Sequence, residues 1–429
     1  MTSVHSPNYC VGAFIFPRYI LLRFELGRNK KWDGYTSWSY LEPDVDYFKY
    51  PLEKQVDRVP IYDFGLSGVQ EERVEELIEK NIVISLHEHL NVFPTETLPS
   101  SVRRRPFMGY EGMAYSGCDA IFDNCVCSTF DQAIEFLGMR QCDYDHQDFV
   151  IVAKKVDDVT RAFKEGKVAI IQTVEQASAI DRDVDRIDLL YGLGVRSMGI
   201  VYSESNTLGS GLSELGDQGL TDVGYNAVKR MNKTGIIIDV SHAGDRTAME
   251  VVEASEKPLL ISHVGSRTLT NNARMLPDEV LQACAEKGGV VGAEVAGFAP
   301  RTEKHPEASI ECLLDHIEYM IDLLGVDHVG AGPDTLWGDH AGLYRGGPMG
   351  TVSHRPGTGH YARPRPSGMP EVFDSGEMVR DLDYVKGLES PSDFSNIARG
   401  LVRDGYSEGE IAKVMGLNGL RIIRSCWPK

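Results

Sequence analysis

The sequence predicts a (β/α)8 TIM barrel, and three observations support this fold class. Short apolar runs alternate with helical segments through most of the chain, and a strand-then-helix order produces a parallel sheet. Eight such runs can be counted, which is the number that a closed parallel barrel requires. Several of them end in a histidine or a carboxylate, and the carboxyl ends of barrel strands lie together on one face.

The predicted strands are the most apolar parts of this alternating region. They cover residues 82–87, 117–124, 168–174, 196–202, 235–241, 257–262, 288–295 and 327–333. Between them lie helical stretches such as DRTAMEVVEAS, and several of these stretches end in glycine, a common helix stop signal. We therefore expect a helix after most of the strands.

Two regions extend beyond this alternation. Residues 1–67 are rich in aromatic residues and proline and contain strand-like pieces, GAFIFPRYILLRFEL and YTSWSYLEP, so we predict an N-terminal extension packed on the barrel. Residues 68–429 form the predicted barrel with its C-terminal helices, interrupted by a long Gly/Pro-rich loop at about 339–375. In the tail, Ser407 followed by Glu410 predicts a capping box at the start of a helix.

The charge and the apolar segments of the chain argue against two classes of binding partner, nucleic acid and membranes. The formal net charge of −19 argues against nucleic acid, because phosphate binding requires clustered Lys and Arg. The apolar segment CVGAFIFPRYILLRF is too short to span a bilayer and carries Pro17 and Arg18, so we expect no membrane partner and a cytoplasmic protein. Cys118, Cys125 and Cys127 match no zinc-binding spacing, and we interpret them as reduced thiols.

Candidate metal ligands follow the predicted strands at distant places in the chain. His87 and His89 follow NIVIS, Glu175 follows VAIIQTV, His242 follows GIIIDVS and His263 follows PLLIS. Alternation along a strand places His87 and His89 on one face, where both can bind the same ion. A buried, unpaired carboxylate would be costly, and bridging two ions would remove the cost for Glu175. The pattern predicts two divalent ions, with zinc as the default and manganese or cobalt as alternatives.

Asp334 closes a further apolar run, HVGAGP, and is the candidate acid/base. Two ions that share a carboxylate and a hydroxide can supply a nucleophile and polarise a carbonyl together. A carboxylate beside them could accept a proton from the water and pass it to the leaving amine. The alternative for Asp334 is a cap on the segment that follows it.

The stretch GLTDVGYNAVKRMNKTGIIIDVSHAGDRTAMEVVEASEKPLLISHVGSRTLTNNARMLPDEV resembles the membrane dipeptidase (renal dipeptidase) family of zinc metallopeptidases. The tail SPSDFSNIARGLVRDGYSEGEIAKVMGLNGLRII is also similar to that family, so the resemblance covers most of residues 70–429. It implies an amidohydrolase-like barrel of the metal-dependent hydrolase type, a binuclear zinc site, hydrolysis of dipeptides and a homodimer.

Carried over by position, the resemblance implies roles for individual residues. His87, Glu175, His242 and His263 match the family's ligands, with Glu175 bridging, and Asp334 matches its acid/base aspartate. It further implies that Arg274, in NNARMLPDE, holds the substrate's terminal carboxylate, a task that suits a planar guanidinium; the alternative is a surface salt bridge.

This chain departs from the family pattern at three places. His87-Glu88-His89 stands where the family typically has His-x-Asp, so one ligand is an imidazole. Glu175-Gln176-Ala177 replaces Glu-Gly-Gly. Tyr202 replaces a histidine that contacts the substrate carbonyl, and its phenol could donate a hydrogen bond to the oxyanion.

The first functional hypothesis is therefore hydrolysis of a dipeptide, or of a related amide that bears a carboxylate, with Asp334 and Tyr202 as catalytic residues. Trp337 and His340, in the loop after Asp334, could contact this small-molecule substrate, or the loop could serve packing or a dimer contact. A second hypothesis is hydrolysis of an N-acyl amino acid, another specialised amide or a lactone. A third is a catalytically silent binding protein on the same barrel.

Overall fold

Nine parallel strands form one sheet within residues 30–49, 51–57, 60–92, 105–295, 301–335 and 385–428, the parts of the chain that the computed structural model describes. In chain order the strands are β1 Ile84–Glu88, β2 Asn91–Val92, β3 Phe107–Met108, β4 Ala120–Cys125, β5 Val150–Val152, β6 Val168–Val174, β7 Ser197–Gly199, β8 Ile237–Asp239, β9 Leu260–Val264, β10 Val290–Ala293 and β11 Val329–Ala331. Eight strands of the large sheet follow one another in the order β1-β4-β6-β7-β8-β9-β10-β11, while β5 pairs with β6; β2 and β3 form a separate antiparallel pair.

Hydrogen bonds just beyond the ends of β1 and β11 bring the first and last strands of the order together. The amide of Asp334 donates to the carbonyl of His87 over 3.3 Å, and the amide of His89 donates to the carbonyl of Thr335 over 3.2 Å. Both bonds lie at the carboxyl ends of the strands. The predicted barrel is confirmed, and its seam passes directly beside candidate site residues.

Helices lie between most of the strands and after the last one. They are α1 Gly68–Lys80, α2 Tyr110–Ser116, α3 Phe130–Tyr144, α4 Val156–Glu165, α5 Arg186–Leu193, α6 Asp222–Thr234, α7 Asp245–Ala254, α8 Asp278–Glu286, α9 Ile310–Leu324, α10 Ser395–Arg403, α11 Glu408–Ala412 and α12 Asn418–Cys426. The predicted stop signals act as expected, because α4 and α6 end at Gly166 and Gly235 in the left-handed conformation. Ser407 and Glu410 form the predicted capping box of α11. None of the described helices is long and apolar enough to cross a bilayer.

The core occupies the barrel interior and the layer between the strands and helices. All seven residues of β6 are buried, as a mainly apolar sequence in a parallel strand predicts, and the buried set includes the polar residues Gln172 and Thr173. The N-terminal segment joins this core from residue 30 onward. Lys30 forms a buried ion pair with Asp119, and the indole of Trp38 donates to the carbonyl of Pro106 over 2.8 Å. The division at residue 67 stays a prediction, because residues 1–29 lie outside the described part.

The structure differs from the sequence expectations in two local places. The segment Val150–Val152, which we did not predict as a strand, is β5, and it pairs with the first half of β6 in register with Val168–Ile170. The strand predicted at YTSWSYLEP is wrong, because this segment consists mainly of turns. Trp38 has a φ of 64°, and its buried indole fixes the turn in place. A side-chain anchor of this kind overrides the local β propensity of aromatic residues.

Candidate metal centre

The strand ends bring the predicted ligands to one place at the carboxyl face of the barrel. His87 lies within β1 and His89 directly after it, while Glu175 follows β6. His263 lies within β9, and His242 lies three residues beyond the end of β8. All of these side chains are buried except that of His89, which is 15% exposed. Five residues separated by up to 176 positions in the sequence therefore share one small volume.

The carboxylate of Glu175 lies at the centre of this group. Its Oε1 lies 3.3 Å from Nε2 of His242, 3.6 Å from Nε2 of His87 and 3.8 Å from Nε2 of His263. Its Oε2 lies 3.8 Å from Nε2 of His89. Ligands bound tetrahedrally to an ion at about 2.1 Å lie about 3.4 Å from one another. The observed separations of 3.3–3.8 Å are close to this value, so the spacing of the group suits bound cations.

Asp334 joins the same group from the end of β11. Its Oδ1 lies 3.3 Å from Nε2 of His87 and 3.2 Å from Nε2 of His89. Among the described residues, four overlapping sets of potential ligands result, and two of them share no residue: His87, His89 and Asp334 form one, and Glu175, His242 and His263 form the other. Within the described residues, Nε2 of His87 and Oε2 of Glu175 are buried without a hydrogen-bond partner. Buried polar atoms without partners are uncommon, and a pair of divalent ions would satisfy both.

The electrostatics of the group favour ionised carboxylates and a neutral His242, but not a neutral His89: burial lowers the pKa of His89, and the hydrogen bond to Asp334 and the charge of Glu175 outweigh burial and raise this pKa to about 9. Burial raises the pKa of Glu175, but the surrounding histidines outweigh burial and hold it below its ordinary value. In the same way, hydrogen bonds from His87 and His89 overcome burial and hold the pKa of Asp334 well below its usual range. Burial and the charge of Arg274 lower the pKa of His242. Ionised carboxylates and a neutral imidazole are the forms that coordinate a cation.

A single hydroxyl orients two of the candidate ligands. Ser262 Oγ lies 2.7 Å from Nδ1 of His263 and 3.2 Å from Nδ1 of His87, and it donates to the carboxylate of Asp239. A serine hydroxyl has one proton to donate and two lone pairs. Since the proton goes to Asp239, Ser262 accepts from both rings. Both histidines therefore carry their proton on Nδ1 and present the lone pair of Nε2 to the centre.

The backbone at the site adopts conformations that are rare elsewhere. His242 and Asp334 have φ values of 65° and 57°, in the left-handed region that non-glycine residues seldom enter. Gly199 is required for a different reason, since a Cβ at this position would lie 2.0 Å from the carbonyl oxygen of Glu175. The close approach of β7 therefore positions the backbone of Glu175.

Two further side chains surround the group. The ring of Tyr202 stacks on that of His242, with centroids 4.2 Å apart and planes 27° from parallel. Arg274 is 4% exposed and forms a buried ion pair with Glu294, so it is not the surface salt bridge considered as its alternative. Trp337, His340 and the loop at 339–375 lie outside the described residues.

Sequence reasoning missed three members of the site, namely Glu294, Asp239 and Ser262. Glu294 directly follows β10, so the strand-end pattern that selected the other ligands could have found it. Asp239 ends β8, but His242 follows it by three residues, and we chose the histidine as the ligand of this strand end. Nothing in the sequence marks Ser262, because a serine beside a histidine is common and its role depends on contacts across the barrel.

Comparison with known proteins agrees with this geometry. The family model of the membrane dipeptidases (peptidase family M19) matches residues 113–342, which is more than half of the chain. The chain belongs to this family.

Curated relatives carry related names. The chain is 26% identical over 310 residues to dipeptidase tcpJ of Claviceps purpurea, a match that covers 71% of this chain and 61% of that protein. It is 32% identical over 183 residues to an uncharacterized dipeptidase of Schizosaccharomyces pombe, covering 42% of this chain and 44% of that protein. The chain thus spans less than two thirds of the length of these relatives.

Solved structures extend the similarity over more of the chain. An amidohydrolase from Pseudomonas aeruginosa superposes with a TM-score of 0.67 at 25% identity, covering 83% of this chain and 99% of that one. A metallo peptidase from Rhodobacter sphaeroides, liganded with a phosphinate mimic of the dipeptide L-Ala-D-Ala, superposes with a TM-score of 0.59 at 19% identity, covering 81% of this chain and all of that one. The second likeness concerns the fold alone.

Proposed function

We propose that this protein is a metal-dependent hydrolase that cleaves the peptide bond of a dipeptide or the amide bond of a closely related small substrate. The convergence of four imidazoles and Asp334 around the carboxylate of Glu175 carries the proposal. The family membership and the dipeptidase names of its relatives support the same reaction class.

The residues fit two divalent ions, and zinc is our first choice because imidazoles predominate among the ligands. His87, His89 and Asp334 would hold one ion, and His242 and His263 the other, with Glu175 shared between them. When bound, such a pair lowers the pKa of water and polarises a carbonyl oxygen.

The protein's own groups have separate tasks in this reaction. Asp334 accepts the proton from the attacking water and delivers it to the departing amine, because it is an ionised carboxylate that belongs to one ligand set and lies close to His263 of the other. The proposed role of Tyr202 is to donate a hydrogen bond to the oxygen on which negative charge develops. Its ring lies against His242, and this contact limits its movement. The proposed role of Arg274, a buried guanidinium that donates to the carbonyl of His263, is to bind the terminal carboxylate of the substrate.

Metal analysis and a substrate panel test the proposal. The purified protein should hold about two divalent ions per chain, and Glu175→Gln should lose at least one because the shared charge is removed. Glu253→Gln, on an exposed part of α7, is the matched control and should keep both ions. A chain that binds no divalent ion, or that binds two equally well without Glu175, contradicts the proposal.

The panel distinguishes the candidate substrates. Dipeptides, N-acyl amino acids and lactones would be offered to the metal-loaded protein, and we expect the highest kcat/KM among the dipeptides. Preferred cleavage of N-acyl amino acids or lactones would support the second hypothesis instead. The absence of any turnover by fully loaded protein would support a binding function. A homodimer and a cytoplasmic location stay predictions.

A further inference from the structure

The carboxyl group of Glu88 stands between two candidate ligands in the sequence, and the mechanism above does not use it. Neighbouring residues of a strand point to opposite faces, so the side chain of Glu88 leaves β1 on the face opposite to His87 and His89. The ligand sets among the described residues accordingly do not include it. Glu88 is nevertheless fully buried, and its Oε1 accepts from the hydroxyl of Ser85 over 3.0 Å. A buried carboxyl on this face has a task other than direct contact with an ion.

The second oxygen of this carboxyl holds Thr335, the residue directly after Asp334. Oε2 of Glu88 accepts from the backbone N–H of Thr335 over 2.9 Å and from its hydroxyl over 2.8 Å. The carbonyl of Thr335 accepts from the backbone N–H of His89 over 3.2 Å. The three polar groups of Thr335 are therefore all bound to residues 88 and 89, which fixes both its backbone and its side chain.

Asp334 depends on this attachment because of its backbone conformation. Its φ of 57° lies in the left-handed region, where a non-glycine residue stays only if its surroundings fix the chain. Its own N–H donates to the carbonyl of His87 over 3.3 Å, a long bond that would not fix the chain alone. Its Oδ1 also lies 3.3 Å from Nε2 of His87 and 3.2 Å from Nε2 of His89. Misplacing a reacting group by about 1 Å can lower a rate about 100-fold, so the attachment of Thr335 matters for the reaction.

We propose that Glu88 is a positioning residue for the hydrolysis: by accepting both bonds from Thr335, it sets the backbone that directs the carboxylate of Asp334 toward the attacking water. This role requires an acceptor oxygen and not a charge. Burial, opposed by the hydrogen bonds from Thr335 and Ser85, raises the pKa of Glu88 to about 8, and a neutral carboxyl keeps the carbonyl oxygen that Thr335 requires. The inference rests on the proposed function for its kinetic test, and hydrogen exchange measures the attachment without turnover.

Two replacements of Glu88 separate the acceptor from the charge. Glu88→Gln has no charge but keeps a carbonyl oxygen for Thr335 and an amide N–H for the hydroxyl of Ser85, whereas Glu88→Leu has neither group. With metal in excess and Ala-Ala as the substrate, we expect Glu88→Leu to lose at least about tenfold in kcat while KM changes by less than about threefold. Glu88→Gln should stay within about threefold of the wild type in both constants.

Variants of the two partners of Glu88 provide the controls. Thr335→Val removes one of the two bonds and should lower kcat less than Glu88→Leu does. In the Glu88→Leu protein the same change should have no further effect on kcat, because both substitutions break one contact. Ser85→Ala removes the partner of the opposite carboxyl oxygen and leaves Thr335 attached, so kcat should stay close to that of the wild type.

Hydrogen exchange of the metal-free protein, followed by NMR, tests the attachment itself. In Glu88→Leu the amide of Thr335 should exchange at least about tenfold faster than in the wild type. The amide of Gly332, which donates to the carbonyl of Ala293 within the sheet, should keep its wild-type rate.

An unchanged kcat in Glu88→Leu, equal losses in the Gln and Leu variants, or a loss confined to KM overturns the inference. If the wild type cleaves no dipeptide, the proposed function fails, and the exchange rate of Thr335 still decides whether Glu88 holds the chain at Asp334.

Discussion

The hydroxyl of Ser262 lies 2.7 Å from Nδ1 of His263, and this contact determines which nitrogen of the ring faces the candidate metal centre. The same oxygen lies 3.2 Å from Nδ1 of His87. Because Asp239 takes the serine proton, both rings must donate to Ser262. One hydroxyl therefore fixes the tautomer of a ligand from each of the two proposed ion sites.

Ser262→Ala should weaken metal binding by about 10- to 100-fold, the usual effect of removing a group that orients a ligand. Competition with a chromophoric chelator would measure the affinity, and ¹⁵N NMR of the metal-free protein would report the tautomers of His87 and His263. Ser241→Ala is the matched control. Ser241 is equally buried and contacts Ser262, but it receives the backbone N–H of His263 and no ring nitrogen. Equal losses in the two variants would contradict the proposed role of Ser262.

Gly199→Ala should displace Glu175, because the new Cβ would lie 2.0 Å from its carbonyl oxygen. We expect a loss of about 1–3 kcal/mol in the free energy of unfolding, as for other overpacked sites, together with weaker metal binding. Denaturant titration of the metal-free protein measures the first effect. Gly192→Ala in α5 meets no atom within 4 Å and should stabilise by about 0.5–1 kcal/mol. Normal stability and metal content in Gly199→Ala would show that β7 does not position Glu175.

Glu311→Gln should destabilise the protein at neutral pH and much less in acid. Glu311 accepts two hydrogen bonds from Arg403, at 2.5 and 2.8 Å, and one from Tyr62. The bonds from Arg403, with a smaller opposing effect of burial, lower the pKa of Glu311. This contribution to stability is complete above the unfolded-state pKa of about 4.3 and is lost as the pH falls through the lower folded-state pKa.

We expect a difference between wild type and Glu311→Gln of about 1.5–3 kcal/mol at pH 7, since the bonds involve a charged group that is 13% exposed. Urea titrations at several pH values from 7 to 3 would show the two proteins approaching each other in acid. A constant difference over this range would mean that the ionised carboxylate contributes nothing through its charge. Glu307→Gln, at an exposed pair with Lys386, should change stability little at any of these pH values.

The sequence was sufficient to predict the main barrel strands and the residues that converge at their ends. Strand β10 is continuous apolar sequence and β6 is apolar in all but two positions, and a residue that follows such a strand lies at the carboxyl face. Strand β5 escaped prediction because Val150–Val152 is not one of the eight strands of the barrel order and pairs only with the first part of β6. The pair of Arg274 and Glu294 could not be foreseen either, since it joins two loops whose distance depends on the completed barrel.

Because the backbone at Asp334 is left-handed, the loss of stability on substitution depends on which residue replaces it. Asparagine enters this conformation readily, whereas alanine resists it by about 1–2 kcal/mol. Asp334→Asn and Asp334→Ala should both abolish turnover, yet the alanine protein should unfold at a lower urea concentration when both are free of metal. Two constraints therefore restrict the residue at position 334: the reaction requires a carboxylate, and the left-handed backbone is tolerated by few residue types.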